Sequence, residues 1–531
     1  MRKKLSFLIV MALFMGAVLS SCKGDEGPMG PEGQQGQQGP EGQQGPTGAN
    51  PAFIEIVNSS LNVAIPQNAT GKVVFRVNPS NANVPTGSGS AIDNWQLDQT
   101  GIKTRASYVT EPNGFKLVSI QKDGNNNGQY IATIENTGAE NTYVNLMALV
   151  LNTGDGALVS SSTFSLTGMI VVAKLFEQMN TAERVQESVD VMKRLGVVNQ
   201  IHVFPRQVRV EGVPEVLTNS GIDLWLLAPF FYHDDNNGAI VSGALGRAPN
   251  WAICNDGELA WERNNPHGGH PSGSWLRMVC PRDEEYLDYR INYLKLELRK
   301  CNFTGVSLDF MRHYVYWEGA HNGTDLNKLR NSCFCDVCVG EFMKTITLNA
   351  TQQAEWDGFT TVPEKADFIL GNPIRQFLWT SFKCATIDET IKKVLYDLRL
   401  EFPDLKANLH AVPWAQNDFG GAIRKIAGQD FELLSKRLDQ ITPMTYHRLV
   451  LHPAQWINYV TSDVVNVVNG KIPIIPVIEG RANANLGDVD RDYEDALINA
   501  IKSPSAGVVI WRFEALTESR IEITEKILGL K

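Results

Sequence analysis

The 531-residue chain has few cysteines, eight in all, far below the density of a disulfide-built scaffold. It has no excess of positive charge. Its 48 lysines and arginines stand against 58 aspartates and glutamates, and the net charge of −10 argues against a protein that grips nucleic-acid phosphates. Beyond the first twenty residues no apolar run is long enough to span a bilayer. Neither a GxGxxG fingerprint nor a P-loop is present to support a nucleotide-binding open sheet. Residues 51–168 lack cysteine and histidine and hold a single tryptophan, Trp95, which leaves that stretch little to do chemistry with. The remaining composition, 43% hydrophobic and 20% charged, is ordinary for a folded chain of two or three domains.

What is present begins with an address. Arg2, Lys3 and Lys4 precede an apolar run from Leu5 to Leu19, the pattern of a secretory signal. The run ends in Leu19-Ser20-Ser21-Cys22, which resembles the bacterial lipobox and makes Cys22 the expected lipidation site. Residue 23 is Lys rather than Asp, so inner-membrane retention is not suggested. Asp25 and Glu26 resemble the acidic export tag of surface lipoproteins in some Gram-negative bacteria, which implies a lipid-anchored, surface-exposed outer-membrane protein. Glycine then recurs at every third position from Gly27 to Gly48. Only glycine fits the axis of a collagen triple helix. Seven triplets are short, so residues 23–50 are expected to form an extended stalk, with a trimer as the alternative.

Residues 51–168 alternate short apolar and polar runs, such as GKVVFRVN and QYIATIEN, with turn clusters such as KDGNNNGQ between them. This predicts an Ig-like antiparallel β-sandwich. At Met169 the pattern changes. Eight strand-like runs at 169–176, 200–205, 222–231, 305–312, 405–414, 440–447, 472–480 and 507–516 alternate with amphipathic helical stretches. Eight such units are the arithmetic of a (β/α)8 TIM barrel over residues 169–531. The expected fold is therefore a β-sandwich followed by a TIM barrel.

A barrel of this kind carries its chemistry where the strands end. The ends here are unusually polar. They offer Lys174 and Glu177, His202 and Arg206, Tyr232 and His233, then Asp309, Arg312 and His313. The later strands add His410 and Trp414, Tyr446 and His447, Glu479, and Arg512 with Glu514. Paired carboxylates flanked by aromatic platforms suit glycoside hydrolysis. Asp309 and Glu479 are the expected catalytic pair, with Glu318 and Glu514 in reserve. His202, Arg312, His313, His410, Trp414, Tyr446, His447, Arg512 and Glu514 are the expected carbohydrate-binding residues. Trp225, Trp251, Trp261, Trp275, Trp317 and Trp511 are further aromatic candidates, and the long stretch from 232 to 280, with its NPHGGHP, is expected to wall the cleft. No cofactor is expected for catalysis.

The segment SCFCDVCVGEF crowds Cys333, Cys335 and Cys338 into six positions. Three thiols need one more ligand for a tetrahedral four-thiolate zinc site, and Cys254, Cys280, Cys301 and Cys384 are the candidates. A disulfide plus one free thiol is the alternative. The motif resembles that of family 42 β-galactosidases and of a looser group of barrel glycosidases. These carry a CYCxxC-like motif soon after strand 4 and a further cysteine ahead of the helix leading into that strand. The resemblance implies a structural zinc on Cys280, Cys333, Cys335 and Cys338, away from catalysis. It covers about 170–531, and the cysteine motif is its specific part. Where that family's strand 4 reads Asn-Glu, this chain reads SLDFMR, with Met311 near the place of the catalytic glutamate. The strands 4 and 7 placement of Asp309 and Glu479 resembles the largest clan of barrel glycosidases, which use Glu on strand 4. The expected function is thus a surface-anchored glycoside hydrolase. A non-catalytic glycan-binding lipoprotein and a structural surface protein built around the collagen-like segment are the alternatives.

Overall fold

The computed structural model describes residues 53–528 apart from 58–61, 66–69, 81, 100–113, 125–127, 138–144, 154–156, 163, 177–178, 233–244, 260–275, 321–328, 483–488 and 503. The signal, Cys22 and the collagen-like segment lie outside the described residues, as do Glu177, His233, Trp261, Trp275 and NPHGGHP.

Between residues 53 and 168 the chain forms two five-stranded sheets. One runs Phe53–Ile56, Thr70–Asn78, Gln129–Asn136, Phe115–Lys122 and Gly87–Ser88 in spatial order. The other runs Asn62–Ile65, Phe164–Gly168, Asn145–Asn152 and Trp95–Gln99, with Leu158–Ser160 paired to Asn145–Asn152. Among the described strands all ladders are antiparallel except that of Asn62–Ile65 with Phe164–Gly168, and a single parallel bridge joins Ile54 to Ser161. Alternation explains the packing: Val73, Phe75 and Val77 from the first sheet share one core with Leu97, Leu149 and Phe164 from the second. Trp95 belongs to this core, edge-on to Phe75 at 5.3 Å, with its indole N–H donated to the Pro85 carbonyl.

The barrel strands are β1 (Ile170–Lys174), β2 (Gln200–Val203), β3 (Asp223–Pro229), β4 (Gly305–Asp309), β5 (Lys406–Ala411), β6 (Gln440–Pro443), β7 (Val477–Glu479) and β8 (Gly507–Trp511). All are parallel, in the order β6-β5-β4-β3-β2-β1-β8-β7. The circle closes through a parallel bridge between Ile441 and Ile474, with Ile441 N–H donated to Pro473 and Ile475 N–H donated to Ile441. The sequence marks a strand over 472–480, but regular pairing is confined to its last residues. Pro473 and Pro476 have no N–H to give, so this stretch joins its neighbours largely through their carbonyls.

Eight helices follow the eight strands: α1 (Ala182–Leu195), α2 (Val213–Asn219), α3 (Glu284–Leu298), α4 (Pro373–Arg399), α5 (Phe431–Leu434), α6 (Gln455–Val467), α7 (Asp490–Ile501) and α8 (Glu518–Ile527). Their starts are written locally. Thr181, Asp283, Asn372, Asp430 and Thr517 each cap a helix through a side-chain oxygen. α1 buries Val185, Val189, Met192 and Leu195 and stops at Gly196, whose φ of 68° suits glycine.

The barrel interior is more polar than the branched aliphatic filling usual in this fold. Gln200 and Gln440 exchange amide hydrogen bonds across the barrel at 3.2 and 3.1 Å. Asn408 donates to Ser307 and to Thr442, and Thr442 meets His410 Nδ1 at 2.9 Å. The rings of His202 and His410 are 5.7 Å apart, and Trp225 lies beside His202 at 5.6 Å. Trp225 fits because its strand neighbour is Gly305: a Cβ there would lie 2.5 Å from the indole and 2.9 Å from the Lys406 carbonyl. Gly305→Ala is therefore expected to destabilise the barrel by about 1–3 kcal/mol through overpacking. A thermal or denaturant midpoint equal to wild type would show that Trp225 is free to yield.

Candidate active site

Asp309 ends β4 at the barrel mouth and is 6% exposed. Its Oδ1 accepts the N–H of Phe310 at 2.8 Å, and its Oδ2 faces Lys174 Nζ, at the end of β1, at 3.8 Å. Burial lowers the Lys174 ammonium and Asp309 opposes that shift. Phe310, directly after the strand, has a φ of 52°, an unfavourable region for an aromatic residue. Arg312 Cζ lies over its ring at 5.2 Å.

The turn after β4 brings in a third polar group. Arg312 is 1% exposed and donates Nη1 to the Val315 carbonyl at 2.8 Å, while its Nε and Nη2 are buried without partners. Glu318 is close enough to Arg312 and Asp309 to feel both charges. Burial pushes its carboxyl up to about 7, against the pull of Arg312, and its Oε2 has no hydrogen-bond partner.

From the far side of the mouth, β7 ends in Glu479, whose Oε1 is 3.7 Å from Arg512 Nη1. Arg512 follows β8 with a φ of 57°, so both this strand and β4 are followed by a strained non-glycine residue. Tyr446 joins the two sides. Its ring lies 4.5 Å from Trp511 and 6.1 Å from Trp317, the residue before Glu318. Burial holds its phenol well above the ordinary range, and Asp309, Glu479 and Glu318 all push the same way. Three carboxyl groups, from β4, its following turn and β7, are thus within electrostatic reach of one phenol. A cavity of about 180 Å³ opens beside it, lined by Tyr446, His447, Glu479, Trp511 and Arg512 among others.

Tyr446, His447, Glu479 and Arg512 line this cavity, and Asp309 and Arg312 stand at and just past the end of β4, near Glu318. Other expected residues lie elsewhere. His202 and His410 have no exposed surface and form the packed floor beneath the mouth, so their expected role as substrate-contacting residues is corrected to an interior one. Burial holds both imidazoles well below their ordinary range, with Lys174 acting in the same direction. His313 is also corrected: its N–H donates to Ala427, its ring packs on Gly428, and it senses Lys383 of α4. Glu514 accepts the N–H of Phe176, just past β1, and lines a separate groove of about 970 Å³ with Arg206 and Phe513. Trp414 is 2% exposed and lines a third cavity with Trp317. The interior amides Gln200, Asn408 and Gln440 were not anticipated; their signal is a polar residue within an otherwise apolar strand run.

The cysteines form a second centre. Cys280, Cys333, Cys335 and Cys338 are buried, with all four Sγ atoms within 4.8 Å of one another. Cys280 Sγ is 3.5 Å from Cys335 Sγ and 3.4 Å from Cys338 Sγ, and every described cysteine is a free thiol, so the disulfide alternative is set aside. A tetrahedral site with metal–sulfur bonds of about 2.3 Å has sulfur–sulfur edges of about 3.8 Å. The thiols fit such a metal. They compete for charge without one: their mutual hydrogen bonds pull Cys335 far down and push Cys280 and Cys338 up. The N–H groups of Arg282 and Cys338 donate to the sulfurs of Cys280 and Cys335.

Glu318 provides a test of the mouth. Between 4.5 and about 7 the folded carboxyl keeps a proton that the unfolded one has lost, so its contribution to stability falls as pH rises through that window. The melting temperature of Glu318→Gln, relative to wild type, is expected to rise across the same window and level off above it. A difference independent of pH would mean that the carboxyl titrates as an exposed one.

No protein-family model matches the chain, and no curated protein matches it. Solved structures that resemble it include glycoside hydrolases. They include the PgaB (BpsB) glycoside hydrolase domain from Bordetella bronchiseptica, at 12% identity and a TM-score of 0.47 over 68% of this chain and 99% of that one. A GH42 β-galactosidase, Gan42B from G. stearothermophilus, aligns at 14% identity and a TM-score of 0.43 over 68% of this chain and 56% of that one. An exo-β-agarase aligns at 10% identity and a TM-score of 0.42 over 92% of this chain and 66% of that one.

Proposed function

We propose that the chain is a glycoside hydrolase acting on an extracellular poly- or oligosaccharide. The observation that carries this reading is that β4 and β7 end in carboxylates at the barrel mouth, Asp309 facing Lys174 and Glu479 facing Arg512. Glycosidic cleavage needs one carboxyl to protonate the leaving oxygen and another to attack the anomeric carbon or activate water. Asp309 and Glu479 are the proposed pair. Glu318, protonated near neutrality by burial, is the alternative proton donor. Arg312 is buried beside Asp309 and Glu318 and sets the charge around them, and Trp511 has an indole N–H without a partner. No cofactor enters this chemistry.

The cysteine cluster is proposed to hold a structural zinc. All four positions are protein thiols, which leaves no open position for water or substrate. The organisation proposed from the sequence is a lipid anchor at Cys22, a collagen-like stalk over 23–50, a sandwich over 51–168 and a catalytic barrel over 169–531, displayed at the outer-membrane surface.

Asp309→Asn and Glu479→Gln are each expected to lower turnover on a panel of aryl glycosides and polysaccharides at least about a hundredfold. Glu479→Gln should keep its melting temperature, whereas Asp309→Asn, which leaves Lys174 buried without its partner, should melt lower while still folding. Full activity in both variants would move the chemistry to Glu318. Binding without cleavage by the wild type would make the barrel a glycan receptor. The purified chain is expected to carry about one zinc, measured by elemental analysis. Cys338→Ser should lose the metal and melt at lower temperature; a metal-free wild type with the same melting temperature as Cys338→Ser would exclude the site.

A further inference from the structure

Beside the carboxyl mouth lies a cavity of about 380 Å³ between the segments that follow β4, β5 and β6. Six rings line it: Trp317, Trp414, Phe419, His452, Trp456 and Tyr459. They are graded in depth. Trp317 and Trp414 are each 2% exposed at the floor, whereas Tyr459 is 52% exposed at the rim. Trp414 and Phe419 meet edge to face at 5.1 Å, and His452 stacks on Trp456 at 4.6 Å with an angle of only 8° between the planes. Aromatic residues that serve only as core fill their own space. These leave a volume at the lower end of the range for small-molecule sites.

The backbone is strained around this cavity. Five described non-glycine residues have positive φ. Phe310 and Arg512 flank the carboxyl mouth, and Asn469 ends α6, where asparagine is common. The other two are Phe419, at 48°, whose ring lines the cavity, and Leu451, at 57°, next to His452. Such conformations persist where the surrounding fold holds a functional arrangement against them.

The polar groups indicate what fits. The Trp317 indole N–H is buried with no partner. Asp418 accepts the N–H of Ala415 and the hydroxyl of Tyr459, which fixes the rim. It is the one charged side chain on the described lining, which has no lysine or arginine. Flat rings pack on the C–H faces of a pyranose, while an indole N–H, an imidazole and a carboxylate can meet its hydroxyls. A uronic acid would bring a second carboxylate to Asp418 with no lysine or arginine on the lining to receive it. The cavity also adjoins the proposed catalytic centre across one pair of rings. Trp317 lines it from one side and stacks on Tyr446 from the other, and Glu318 is the next residue.

We infer that this cavity is a second glycan subsite, which holds an uncharged pyranose unit of the same chain whose bond the carboxyl mouth cleaves. It rests on the glycosidase reading and extends it: the substrate is an oligomer or polymer that occupies both places, and its units here carry no acidic group.

The test uses the full chain with Asp309→Asn, so that ligands survive, alone and combined with Trp456→Ala or Tyr459→Ala. Binding of cello-, laminari-, xylo- and malto-oligosaccharides of four to seven units, and of oligogalacturonate, is followed by tryptophan fluorescence and calorimetry. At least one neutral series is expected to bind. Each aromatic substitution should weaken it roughly tenfold, and oligogalacturonate should neither bind nor compete. Unchanged affinity in both variants, or preferred binding of oligogalacturonate, would overturn the proposal. The wild-type chain separates the two readings. Cleavage with a KM unaltered by Trp456→Ala and Tyr459→Ala removes the subsite and keeps the enzyme. Binding that depends on both rings without any cleavage keeps the subsite and removes the enzyme.

Discussion

The architecture of the mouth depends on one buried pair, Lys174 on β1 and Asp309 on β4, which face each other with almost no solvent contact. Such a pair gains little net stability, because desolvating both charges offsets most of their attraction. What it supplies is position. An unpaired charge at either place would be costly, so the ends of β1 and β4 are held toward one another. The Phe310 N–H then orients the carboxylate, and the strained turn beyond it carries Arg312 and Glu318 to the same space.

The polar interior beneath follows from the same constraint. A barrel filled with valine and leucine would leave Lys174 and Asp309 on a fully apolar floor. Here His410, Thr442, Asn408 and Ser307 form a hydrogen-bonded layer, and His202 meets the Gln200–Gln440 exchange through Gln200. Buried amides satisfied by one another specify a single register, because a slipped strand would leave both unpaired. The histidines belong to this polar interior. Burial keeps them neutral, which is the form that can be enclosed beside an ammonium.

The cysteine centre solves a different problem. The excursion between β4 and α4 is long, and the turn carrying Arg312, Trp317 and Glu318 belongs to it. Four thiols join the segment before α3 to the segment around the Asp336–Met343 helix. Buried Lys383 ties α4 to Asn331 and to the carbonyls of Lys425 and Ile426. Catalytic groups on a loop need such bracing, because small displacements of a reacting group carry a large kinetic cost.

Much of this was written locally. Apolar periodicity marked all eight barrel strands, and side-chain caps marked the starts of several helices, because both depend only on near neighbours in sequence. The rule that barrel chemistry lies at strand ends singled out Tyr446, Glu479 and Arg512, which line one cavity, and Asp309, which ends β4. The cysteine spacing, with its family resemblance, named all four members of the thiol cluster. Which way a strand-end side chain turns is not local. His202, His410 and His313 read like Asp309 in sequence, yet stagger between strands puts the first two in the floor, and packing on Gly428 turns the third toward α4. Glu318, which no strand position marks, becomes a central carboxyl because a folded turn brings it beside Arg312 and Asp309. The sequence by itself determined the order of elements and the kinds of groups at the mouth. Only the tertiary structure decided which of them share low-dielectric space, because burial and charge proximity arise from contacts between segments far apart in the chain.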